Sequence, residues 1–79
     1  MKYRLKTFGI TREILGGKDV FLEMDGYRVA ELKAALGDRF PAIKSLNSLL
    51  IAVNNEYAAD ESVLSETDEI ALIPPVSGG

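Results

Sequence analysis

Seventy-nine residues, nearly half of them hydrophobic, allow one domain with one core, and 12 acidic against 9 basic side chains leave a net charge of −3. With no cysteine and no histidine, the chain cannot form a disulfide, a thiolate nucleophile, a Cys/His zinc site or a triad that uses histidine as its base. Its cations are scattered along the chain rather than clustered, which argues against nucleic acid as a partner, because phosphate binding draws on grouped Lys and Arg.

Lys2 to Phe8 alternates basic with mostly apolar residues, the pattern of a half-buried strand with Tyr3 and Leu5 inward and Lys2, Arg4 and Lys6 outward. Met1-Lys2-Tyr3-Arg4 carries no signal-peptide core. Thr11 to Leu15 fits one short helical turn, broken by Gly16-Gly17. Asp19 to Asp25 reads as a second strand with Val20, Leu22 and Met24 on one face, antiparallel to the first. Val29, Leu32, Leu36 and Phe40 then fall three or four apart and predict a helix over 29–40. Pro41 ends it, Arg28 is a poor N-cap with Asp25 the nearer candidate, and Gly37 predicts fraying in the last turn.

Leu49 to Val53 is an apolar run short enough for a buried strand, and Asn54-Asn55 suits a two-residue hairpin turn because Asn tolerates positive φ. Glu56 to Ala58 would be a short return strand, 60–68 a loop or single turn, and Glu69 to Ile73 the last strand, ended by Pro74 and Pro75. The predicted architecture is α+β: a mixed sheet of about five strands with one main helix across one face. Residues 1–75 form the domain and 76–79 a flexible tail.

No side-chain constellation resembles a catalytic set. Asp60-Glu61 and Asp68-Glu69 are adjacent carboxylates without the spacing of a calcium loop, and read as solvated loop charge, so no metal site is expected. Gly16-Gly17 before Lys18 lacks the spacing and context of a phosphate loop. A chain this size buries only about 60% of its unfolded surface, so a function that needs a surface and a tail suits it better than one that needs a cleft. The longest apolar run falls well short of the roughly 20 residues that span a bilayer, and the expectation is a soluble cytoplasmic protein without a membrane partner. The ending Pro74-Pro75-Val76-Ser77-Gly78-Gly79 stands apart. Prolines stiffen the exit from the last strand and glycines keep the end thin, so Pro75, Val76, Ser77 and Gly78 can thread a narrow channel and present the Gly79 carboxylate inside a partner. An inert tail gives the same residues.

The chain resembles the MoaD group within the MoaD/ThiS ubiquitin-like sulfur carriers. The strongest match is Ala71-Leu72-Ile73-Pro74-Pro75-Val76-Ser77-Gly78-Gly79, supported by Phe8 with Arg12-Glu13 and Gly16, by Val29-Ala30-Glu31-Leu32 and by Ala52-Val53-Asn54. The resemblance covers essentially the whole chain and implies a ubiquitin-like β-grasp fold. It implies that Gly79 is adenylated with ATP by a ubiquitin-activating-type adenylyltransferase and converted to a thiocarboxylate. The sulfur would go to cyclic pyranopterin monophosphate in the large subunit of molybdopterin synthase, a heterotetramer of two small and two large subunits, for molybdenum cofactor synthesis. This chain would be a non-catalytic subunit with no permanently bound cofactor. Two positions depart from the family pattern: Arg28 stands where a Thr or Ser usually opens the helix, and Thr67 where a Gly usually precedes the last strand. Phe8, Ile73 and Val76 either form an apolar patch that docks the large subunit or serve as core and edge cover. Competing readings are a related carrier for thiamine, cysteine or transfer-RNA thiolation, a protein modifier joined to lysines through Gly79, and a ubiquitin-like module with an inert tail.

Overall fold

Strand β1 (Lys2–Thr7) is central to how the fold is built, because it pairs on both sides. The computed structural model describes residues 1–75. In it β1 lies antiparallel to β2 (Asp19–Glu23), with Tyr3 opposite Leu22 and Leu5 opposite Val20. On its other side β1 lies parallel to β5 (Ile70–Ile73), with Leu5 opposite Ile70 and Thr7 opposite Leu72. Strand β3 (Leu50–Val53) pairs antiparallel with β5 and with the two-residue β4 (Glu56–Tyr57), giving the order β2-β1-β5-β3-β4. The five-stranded mixed sheet with one main helix is the architecture the sequence predicts.

Alternation sorts the sheet into two faces. Tyr3, Leu5, Leu22, Ile51, Ile70 and Leu72 point inward and share one cluster with Val29, Leu32 and Leu36 of helix α2 (Val29–Arg39). The three helical residues are fully buried, each contributing about 1.5–3 kcal/mol of transfer free energy. Phe40, the fourth residue of the predicted stripe, packs partly buried against the same cluster. Helix α1 (Ile10–Leu15) is a short turn closed at Gly16 in the left-handed conformation, as the glycine pair predicts.

Three expectations need correction. Asp25 does not cap α2. Arg28 occupies the N-cap, and its guanidinium, which has no acceptor, cannot bond the helix N–H groups. Glu31 does part of that work, accepting the Tyr27 and Arg28 N–H groups at 3.2 and 3.1 Å. The following loop does the rest: Ser62 and Asp60 carbonyls accept the Val29 and Ala30 N–H groups at 3.0 and 2.9 Å. Second, Gly37 does not fray the helix, which continues to Arg39, and the Lys44 stem covers this glycine. Pro41 ends the helix as expected, and it also opens a 3₁₀ turn over Pro41–Ser45 that buries Ile43, an element the proline signal alone did not reveal. Third, β3 is half-buried rather than buried, because Leu50 faces outward at 49% exposure while Ile51 is covered.

The Asn54-Asn55 turn forms as expected, with φ of 52° and 70°. The Asn54 side chain accepts the Glu69 N–H at 2.9 Å and donates to Asp68 at 3.1 Å, so the turn is tied to the start of β5. The 60–68 segment is fixed rather than loose. Leu64 is buried and its N–H donates to the Tyr27 carbonyl at 2.6 Å. Asp68 accepts the Ser65 N–H at 2.8 Å, and Thr67 meets the Ser65 hydroxyl at 3.1 Å, so polar side chains close the turn where the family pattern has a glycine.

Candidate functional site

The parallel pairing of β1 and β5 brings two chain exits to one end of the sheet. Thr7 and Leu72 are the last positions paired between these two strands, so Phe8-Gly9 leaves the sheet beside Ile73, which still pairs with Leu50, and beside the Pro74 that follows it. Phe8 is 43% exposed. Gly9 adopts φ 53°, ψ −130°, and a Cβ built there would lie 3.4 Å from the Pro74 ring. Beneath them Thr11 is fully buried. Its hydroxyl accepts the Phe8 N–H at 2.8 Å, donates to the Phe8 carbonyl at 2.6 Å and lies 3.5 Å from the Leu72 carbonyl.

The sheet face opposite α2 extends this corner. Register places Ile73 opposite Leu50, and Ala52 between Ala71 and Tyr57. Leu50 is exposed, and Tyr57 is 72% exposed. Further along the same face lie ion pairs and an exposed Phe21 opposite Arg4. Lys6 lies opposite Ala71 and pairs with Glu69 at 2.9 Å, and Arg4 pairs with Asp19 at 3.3 Å. The Lys6 hydrogen bond, then its charge, hold the Glu69 carboxyl below its ordinary range. A shallow depression of about 180 Å³ beside Phe8 is lined by Lys6, Arg12, Lys18 and Asp19. The acidic pairs singled out in the sequence are absorbed in part by these contacts, since Asp60 pairs with Lys33 at 2.9 Å and Glu69 with Lys6.

Of the predicted site residues, Phe8, Ile73 and Pro75 are described. Phe8 and Ile73 stand at the same end of the sheet, Phe8 exposed and Ile73 and Pro75 partly so. Val76, Ser77, Gly78 and Gly79, and with them the predicted tail, lie outside the described residues. The sequence reading missed Leu50 and Tyr57 as surface residues. Alternation puts Leu50 and Ala52 on one face and Ile51 on the other, but an apolar run does not say which face is outward. Tyr57 carried no such signal, because two residues of strand set no period. No helix among the described residues is long and apolar enough to cross a membrane.

A model of the ThiS family matches residues 5–79. The molybdopterin synthase sulfur carrier subunit of Arabidopsis thaliana is 32% identical over 81 residues, covering all of this chain and 84% of that protein. Among solved structures, small archaeal modifier protein 1 of Methanosarcina acetivorans superposes with a TM-score of 0.79 at 28% identity, covering 99% of this chain and 96% of that one. Subunits 1 and 2 of the molybdopterin-converting factor of Helicobacter pylori, solved as a complex, include a match with a TM-score of 0.67 at 26% identity that covers both chains completely. The ubiquitin-like β-grasp expected from the sequence is the fold of these neighbours.

Proposed function

The chain belongs to the ThiS family, and from that premise we propose that it is the sulfur carrier subunit of a molybdopterin synthase. The observation that carries the reading is the convergence at one sheet end of the Ile73-Pro74 exit, the exposed Phe8 and the outward row of Ile73, Leu50 and Ala52. That end offers an apolar face to a partner beside the point where β5 passes into Pro74 and Pro75.

In this reading the Gly79 carboxylate is the working group. It attacks the α-phosphorus of ATP on a ubiquitin-activating-type adenylyltransferase, releasing pyrophosphate and forming an acyl-adenylate. A sulfur nucleophile then displaces AMP and leaves a thiocarboxylate. Pro75, Val76, Ser77 and Gly78 thread the end into the large subunit, where the sulfur passes to cyclic pyranopterin monophosphate. Phe8, Ile73 and Val76 dock that subunit, in a heterotetramer of two small and two large chains. The chain carries no resident cofactor, works in the cytoplasm and contributes no catalytic side chain. Support for the partner comes from the complex of the Helicobacter pylori homologue with its second subunit.

Intact-protein mass spectrometry tests this. The chain is incubated with ATP, the cognate adenylyltransferase and a sulfur source, beside a Gly79-deleted control. Replacement of one oxygen by sulfur at Gly79, absent from the control, is the expected result. No adenylate and no thiocarboxylate with a competent activating enzyme would sink the proposal. The likeness to an archaeal modifier protein favours a second reading, attachment of Gly79 to lysines of other proteins. Isopeptide-linked conjugates in cells, abolished by deletion of Gly79, distinguish it.

A further inference from the structure

We infer that Thr11 and Gly9 are positioning residues that set the tail exit relative to Phe8, so that a partner seating Phe8 receives the tail in the right direction. This rests on the sulfur-carrier reading and deepens it. Three observations converge on the corner. Thr11 is a fully buried hydroxyl in a six-residue helix, and it holds both backbone polar groups of Phe8 while its oxygen sits 3.5 Å from the carbonyl of Leu72, the last residue of β5 paired with β1. Gly9 takes a positive φ beside the Pro74 ring, a conformation that side-chain-bearing residues adopt only with strain. The parallel register then makes the Phe8 backbone and the exit from β5 neighbours in one frame.

A hydroxyl has one proton and two lone pairs. Thr11 therefore gives its proton to the Phe8 carbonyl and accepts the Phe8 N–H, closing a small ring that locks Phe8 at the sheet end. Valine at this position keeps the shape and loses both hydroxyl bonds, leaving the Phe8 carbonyl on the residue-11 backbone N–H at 3.1 Å and the Phe8 N–H without its acceptor. Phe8 remains present and exposed, so docking survives. With its N–H unpaired, Phe8 is held less firmly beside the Pro74 exit, so the tail reaches the partner's site less often in a productive pose. A misplacement on the order of 1 Å at a reacting group is enough to cost up to about a hundredfold in rate.

The test uses the full chain, charged as thiocarboxylate, with the cognate large subunit and pterin precursor in single-turnover transfer. Binding is measured separately by calorimetry. Thr11→Val is expected to bind within about twofold of the parent and to transfer sulfur about tenfold more slowly at saturation. Thr11→Ser, which retains the hydroxyl, restores the rate. Phe8→Ala shows the opposite split, weak binding with the saturated rate largely kept. Gly9→Ala, which leaves Thr11 intact and disturbs the corner through φ, reproduces the Thr11→Val pattern and decides the matter if Thr11→Val does not fold. A parental saturated rate in a folded corner variant, or binding and rate that fall together as in a general loss of structure, overturns the proposal. Failure of the parent chain itself to transfer sulfur overturns the carrier reading instead, and is scored before any variant.

Discussion

Glu69 shows how a single exposed pair on the outer face reports its own environment. Its carboxyl titrates below the ordinary 4.5, first because Lys6 donates a hydrogen bond to it and then because of the Lys6 charge. A depressed carboxylate stabilises the fold above its unfolded pKa, and that contribution disappears as pH falls through the lower folded value. Both partners are substantially exposed, so salt screens the interaction. An NMR titration of the Glu69 side chain is expected to give a midpoint below 4.5. In Lys6→Met, and in the parent at high salt, that midpoint moves upward. An unchanged midpoint in Lys6→Met would show that Lys6 is not the cause. Gly37 offers a second test at this scale. A Cβ there would stand 3.0 Å from the Lys44 Cε and 3.3 Å from its Cγ, and that side chain is 67% exposed. The stem swings aside at little cost, while alanine gains about 1 kcal/mol of helix propensity over glycine. Gly37→Ala should therefore raise the melting temperature by a few degrees. A lower melting temperature would mean that the Lys44 stem cannot yield.

Helix α2 begins without a capping side chain at the usual place, and its stability there depends on contacts from elsewhere. Glu31 accepts two N–H groups ahead of the helix, while Asp60 and Ser62 carbonyls accept two within it. Glu31→Ala removes the first pair and is expected to destabilise the fold by about 1 kcal/mol, at the scale of a lost N-cap. Chemical denaturation measures it, and a loss near zero would assign the helix start entirely to the 60–62 loop. The same element shows where sequence was legible and where it was not. The stripe of Val29, Leu32 and Leu36 is a local period, and local periods name the helix and its buried face. The N-terminal partners lie some thirty residues away in a polar segment that has no period, so Asp25 stood out in sequence for want of a visible alternative. Strands β1 and β2 and the Asn54-Asn55 turn were readable for the same local reason. Leu50 was not, because an unbroken apolar run does not say which of its residues the sheet turns outward. At the site, Phe8 and Ile73 were legible through the family resemblance; the Thr11 and Gly9 corner was not, because it depends on which strands run parallel.

At the scale of the whole molecule, the parallel β1–β5 pair at the centre of the sheet decides where the candidate site sits. The chain crosses from one strand to the other through α2, β3 and β4, so both strands end at the same edge and the face opposite α2 acquires a direction. Ile73, Leu50 and Ala52 lie toward the tail exit, and the two ion pairs, with the exposed Phe21 opposite Arg4, lie farther back. If that apolar end is the docking surface, a charge placed on it will disturb binding far more than folding. Leu50 is the position for the experiment, since it lies opposite Ile73 and is already 49% exposed. Leu50→Asp leaves a carboxylate that water can reach in the free chain, so its stability should fall by no more than about 1 kcal/mol. In the complex the same carboxylate is buried without a partner, at a cost of several kcal/mol. Affinity for the cognate large subunit, measured by calorimetry, is therefore expected to fall by at least about tenfold while the melting temperature changes little. Tight binding by Leu50→Asp would move the docking surface off this face, leaving the Phe8 corner and the tail to hold the partner by themselves.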